Sequence, residues 1–202
     1  MDTKTRPESP AAAAPPPTER FRARAEKLGV AVHFAATAKA AGERAVEIFR
    51  QAGAASVALA AELGVWGEPL RAALQAGGIE VVESADPLVV AQAVGGLSRA
   101  ELAVAETGSV VVATNSLQSR LPGMLSVVHV ALVATDRVVA SLDDVGVYLE
   151  SALRPDDRRY VTIVSGPSRT ADVEKTLTVG VHGPGQLQVI LVGAADPSAD
   201  RG

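Results

Sequence analysis

Three short polar stretches interrupt an otherwise apolar second half, and each carries residue types suited to holding an anion. The first is Glu106-Thr107-Gly108-Ser109, set between the apolar runs LAVA and SVVVAT. Gly108 allows close backbone approach, and the Thr107 and Ser109 hydroxyls with nearby N–H groups suit an anion-binding nest. Glu106 has the chemistry of an acid, base or nucleophile where its surroundings tune it. The same four residues also fit a plain hairpin turn with an exposed carboxylate. The second stretch is RLPGM, read as a polar loop, in which Arg120 has the planar fork that grips a carboxylate or phosphate. The competing reading is a solvated or ion-paired surface arginine.

SGPSRTADVEKTL, from Ser165 to Leu177, is the third. A strand ending at Val164 leads into Ser165, Gly166, Ser168, Arg169 and Thr170, with a short helix expected from about Ala171. In open α/β sheets, ligands gather beyond the carboxyl ends of strands. A helix N-terminus there favours an anion. Asp172 and Glu174 fall in that first turn and already satisfy the dipole. Pairing of Asp172 with Arg169, or simple capping, is therefore the rival reading. The chain returns through GVHGPG, where His182 beside Gly183 is either a titrating group exposed to a cleft or a backbone-bonding turn residue.

Other chemistries are excluded by what the 202 residues lack. There is no cysteine, so no disulfide, thiolate zinc site, cysteine nucleophile or cysteine-ligated cluster. Iron–sulfur chemistry, if involved, belongs to a partner. Three isolated histidines without clustered carboxylates argue against a metal site. His129, inside an apolar strand, is expected to bond internally, and His33 lies in a strand-like run. No Walker A or Rossmann glycine fingerprint, HExxH or nucleophile elbow occurs. A net charge of −4 and 3% aromatics argue against nucleic acid. No apolar run reaches the roughly 18 residues of a membrane span, and the N-terminus lacks a signal-peptide core. A cytoplasmic protein is expected.

The elements that must position these residues alternate. Met1 to Thr18 is rich in proline and alanine and is expected to be a disordered tail. From Glu19 the pattern is helical, and again in KAAGERAVEIFRQAG, where Ala41, Ala45, Ile48 and Phe49 share a face and Gly53 stops the helix. SVALA reads as a strand, EPLRAALQAGG as a helix, IEVVES as a strand and DPLVVAQAVGG as a helix capped by Asp86. The second half adds strands at LAVAETG, SVVVAT, SVVHVALVA, RVVASL, YVTIVSG and LQVILVG, with a helix from about Asp143 to Leu153. Alternating strands and helices imply a mainly parallel sheet covered by helices. One domain over residues 19–193 follows, with 194–202 a loose tail.

Together, AETGS, RLPGM, SGPSRTADVEKTL and GVHGPGQLQVIL resemble the LUD domain family, in motif order and spacing, from about Glu19 to Val192. The resemblance implies a three-layer α/β/α fold similar to that of ribose-5-phosphate isomerase, glucosamine-6-phosphate deaminase and CoA transferases. It implies a role in bacterial oxidation of L-lactate to pyruvate beside two iron–sulfur subunits, with no cofactor in this chain. The family's turns fall on Glu106, Thr107, Gly108, Arg120, Ser165, Gly166, Ser168, Arg169, Thr170, Asp172, Glu174, Gly180, His182 and Gly183. With Ser109, these make a candidate site for a small anion: a carboxylate, a phosphate or a CoA-like group. Glu106 and His182 are its candidates for catalysis. An independent enzyme acting on a sugar phosphate or acyl-CoA through Glu106 is the alternative. A non-catalytic scaffold is the third reading.

Overall fold

The computed structural model describes residues 15–152, 159–171, 177–179 and 183–193. The expected C-terminal tail, and all but the last four residues of the expected N-terminal one, lie outside them. The first helix, α1 (Pro17–Lys27), starts with proline in its first turn, where the missing N–H costs nothing. Strand β1 (Ala31–Ala35) follows, then α2 (Ala38–Gln51), capped by Thr37, whose hydroxyl accepts the Ala40 N–H. Ala41, Ala45, Ile48 and Phe49 are all buried on one α2 face, and Gly53 leaves the helix at φ 68°. Next come β2 (Ser56–Leu59), α3 (Gly67–Ala76) and β3 (Glu80–Val82).

The helix expected over DPLVVAQAVGG is only one turn long. Asp86 caps α4 (Pro87–Val90), and the glycines that were to end it instead open a central strand, β4 (Gly95–Arg99). Packing overrides the low strand propensity of glycine here. A Cβ on Gly95 would lie 2.7 Å from the Phe49 ring, and one on Gly96 2.5 Å from Ser126 Oγ. Strands β5 (Leu102–Val104) and β6 (Ser109–Thr114) form an antiparallel pair.

Arg120 lies on a helix, α5 (Leu117–Leu125), and not in the expected loop. Ser116 caps it by accepting the Ser119 N–H, and the helix tolerates Pro122 inside. After α5 come β7 (Val128–Ala134), the two-residue β8 (Val138–Val139), α6 (Leu142–Ala152) and β9 (Tyr160–Val164). Of the short helix expected from about Ala171, Ala171 itself and residues 177–179 are strand, and 172–176 lie outside the described residues. β10 (Arg169–Ala171) pairs antiparallel with β11 (Leu177–Val179). β12 (Gln186–Val192) completes the chain's described elements.

Six strands form one wholly parallel sheet in the order β1-β12-β7-β4-β2-β3. Its apolar central strands are buried on both faces. Phe49, Leu70, Leu74, Leu97, Leu132 and Ile190 make the core under α2 and α3. On the opposite face Phe21 and Ala25 of α1 meet Val30, Ala131, Val133 and Leu191. Each of the larger side chains among them contributes about 1.5–3 kcal/mol. A second sheet, β8-β5-β6-β9, packs on that same face beside α5, and α6 covers its outer side through Val145.

Candidate functional site

The strand alternation that buries Val130 and Leu132 toward α2 turns Ser98 and His129 to the other face. There they line a cavity of about 320 Å³ between the large sheet, α5 and the second sheet. Ser119, Arg120, Gly123 and Met124 line it from α5, and Val112, Thr114, Tyr160 and Thr162 from β6 and β9. Close approach sets the position of α5. Gly96 leaves room for its backbone at Pro122, and a Cβ on Gly123 would come within 3.2 Å of the His129 ring.

Two features give this cavity its chemistry. The Arg120 guanidinium carbon sits 4.0 Å from the Tyr160 ring centroid, a cation–π contact. Its Nε is buried and finds no hydrogen-bond partner among the described residues. A buried, unsatisfied donor on a permanent cation calls for an anionic or acceptor ligand. His129 is 2% exposed, and burial pushes its imidazole down to about 4, so it is neutral near pH 7. Its Nε2 lies 2.8 Å from the Ser98 hydroxyl.

The other expected residues sit elsewhere. Glu106 is exposed, and its Oε2 accepts the Leu142 N–H at 3.0 Å, capping the start of α6. Thr107 Oγ1 is buried without a partner among the described residues. Gly108, at φ 71°, presses on the α1 backbone, where a Cβ would fall 2.6 Å from Ala25 N. The Ser109 and Ser165 hydroxyls are 2.7 Å apart. A Cβ on Gly166 would meet the Leu28 carbonyl oxygen at 3.2 Å. Arg169 donates from Nη2 to that same carbonyl at 2.8 Å. Ser168 N–H donates to Pro184 O, and Gly183 lies against the Ser168 side chain. Thr170 sits in β10 opposite Thr178. Asp172, Glu174, Gly180 and His182 lie outside the described residues.

The structure therefore gathers Gly108, Gly166 and Arg169 around the C-terminal end of α1, with Ser109, Ser165, Ser168 and Gly183 adjoining them. Of the expected site residues, Arg120 lines the cavity, and Glu106 and Arg169 do not. Sequence reading passed over Ser98, Ser119 and Tyr160, and gave His129 only an internal role. A polar residue within an apolar strand was the available signal for His129; Ser98, between Leu97 and Arg99, carried none. Among the described residues no group of three or more His, Asp or Glu side chains is placed to hold a metal. No helix there is long and apolar enough to cross a membrane.

A parallel sheet between helical layers defines a three-layer α/β/α protein. The chain belongs to the LUD domain family, whose profile matches residues 18–192. It is similar to lactate utilization protein C of Geobacillus thermodenitrificans, at 31% identity over 99 residues, covering 48% of this chain and 41% of that one. The Deinococcus radiodurans protein of the same name is 31% identical over 124 residues, 57% of this chain and 56% of that one. The chain thus matches roughly half the length of these curated relatives. A crystal structure of a DUF162 family protein from Deinococcus radiodurans shares the fold, with a TM-score of 0.64 at 19% identity. That match covers 88% of this chain and 96% of the other.

Proposed function

We propose that this chain is an accessory component of an L-lactate utilization system and binds a small carboxylate in the Arg120 cavity. The similarity to proteins named lactate utilization protein C supports the pathway. Arg120 supports the ligand class: its guanidinium is cationic and its buried Nε is unmatched among the described residues, in a cavity otherwise lined by hydroxyls, the neutral His129 imidazole and apolar groups. The chain has no cysteine and so no cysteine-ligated cluster, and the iron–sulfur chemistry of such a system is assigned in this reading to partner proteins. The alternative of an independent enzyme reacting through Glu106 is weaker, because that carboxylate is engaged at the start of α6.

Two experiments test this reading. Deleting the gene in its host abolishes or slows growth on L-lactate; unchanged growth removes the pathway assignment. Thermal shift with L-lactate, pyruvate and inorganic phosphate tests the site. A ligand at 100 times its Kd stabilises the fold by about 2.7 kcal/mol, and Arg120→Ala abolishes the shift.

A further inference from the structure

Two neighbouring strands of the large sheet, β2 and β4, send the chain to opposite faces. After β2 it runs through Leu63, in the core under α2, to α3. After β4 it runs through Ala100, in the core of the other face, to β5. In open parallel sheets, the crevice outside the carboxyl ends of such a pair is where ligands bind. A second cavity, of about 290 Å³, lies there, lined by Glu62, Arg99, Glu101, Ala113, Asn115 and Arg159. It is separate from the Arg120 cavity, because successive residues of an extended run face opposite ways. Val112 and Thr114 line the Arg120 cavity, and Ala113 and Asn115 line this one. We propose that this second cavity binds a small α-amino acid zwitterion, with the ammonium at Glu62 and the carboxylate at Arg99.

Charge carries the argument. Two carboxylates and two guanidiniums line the cavity. A phosphate dianion would face both carboxylates, and a simple amine both guanidiniums, whereas a zwitterion meets each sign with its opposite. The charges are unevenly matched within the protein. Glu101 is held by the Tyr148 hydroxyl and by Arg99, whose Nη2 lies 3.4 Å from its Oε2. Glu62, which belongs to none of the expected motifs, has one neutral partner: its Oε1 accepts the Ser116 hydroxyl at 3.2 Å. Its Oε2 is buried and partnerless among the described residues. A buried carboxylate oxygen is costly unless a donor meets it, and an ammonium brings charge and hydrogens together. Arg99 is already positioned. Its guanidinium carbon lies 5.8 Å from the Trp66 ring centroid, and a Cβ on Gly64 would come within 3.2 Å of its Nη1. The long contact with Glu101 is weaker than a charged hydrogen bond of about 2.8 Å, so a ligand carboxylate competes well for the guanidinium.

Trp66 is the chain's single tryptophan, so its emission reads this cavity through Arg99. The test titrates the full chain with L-alanine, and with L-lactate and ethylamine, which each lack one of the two charges. L-Alanine changes Trp66 emission saturably, and the other two bind about tenfold more weakly or worse, the scale of one charged hydrogen bond lost. The near-isosteric Glu62→Gln weakens L-alanine by about tenfold, whereas Arg120→Ala leaves its affinity unchanged. Should Glu62→Gln fail to fold, the wild-type ranking of the three compounds still decides. No saturable response to L-alanine, an equal response to L-lactate, or full L-alanine affinity in folded Glu62→Gln overturns the inference. A response lost in folded Arg120→Ala also overturns it, since the amino acid would then occupy the other cavity.

Discussion

The hydroxyl of Ser98 lies 2.8 Å from Nε2 of His129, and each residue is only 2% exposed. The pair joins neighbouring strands β4 and β7 across the face that carries the cavity, and it holds a buried, neutral imidazole there. Burial lowers His129 from its ordinary 6.5 to about 4. The unfolded chain therefore binds more protons between those values, and stability rises with pH across that window. The contribution is complete above about pH 6.5 and is lost as pH falls toward 4, about 3 kcal/mol in all. Chemical denaturation from pH 7 to pH 4 should show that loss. His129→Gln, which cannot titrate there, should flatten the dependence.

Gly108 touches α1 too closely for any side chain. Gly108→Ala would place its Cβ 2.6 Å from Ala25 N and 2.8 Å from Arg24 C, both backbone atoms, at φ 71°. A clash with backbone at a left-handed position costs about 3 kcal/mol. Thermal melting should show a large loss. A melting temperature within a degree of wild type would contradict the packing described.

Arg169 ends α1 by donating to the Leu28 carbonyl. Because it stands outside the cavity, Arg169→Ala should lower stability by about 1–2 kcal/mol, the scale of a charged hydrogen bond in a solvated setting. Titration with L-lactate should find its affinity unchanged in the folded variant.

Glu106 caps α6 from another part of the chain. Glu106→Ala should destabilise by about 1 kcal/mol, as lost N-caps do, whereas Glu106→Gln retains an acceptor oxygen and should lose less. Urea unfolding measures both. Loss of cellular function in Glu106→Gln with unaltered stability would instead revive the reading of Glu106 as a reacting group.

Much of the fold was legible in the sequence because local signals and tertiary packing agreed. The α2 face of Ala41, Ala45, Ile48 and Phe49 and the valine-rich runs of β7 and β12 are of this kind. Where they disagreed, packing won. Gly95 and Gly96 read as a helix end, yet form a strand because Phe49 and α5 need the space. RLPGM read as a loop because of its proline and glycine, yet Ser116 caps a helix through it. The same conflict hid the cavity. Arg120 was legible as an anion-binding type, but its companions beyond α5 come from β4, β6, β7 and β9, which no local spacing connects. The motif glycines marked close backbone contacts: Gly108 and Gly166 give α1 its seat.

Calorimetric titration of L-lactate into wild type and Arg120→Ala tests the central claim most directly, with melting curves confirming that both are folded. Saturable binding by the wild type and its loss, at least tenfold, in Arg120→Ala is the predicted result. Equal binding by the two proteins, or none by the folded wild type, would contradict the assignment of this cavity to a small carboxylate.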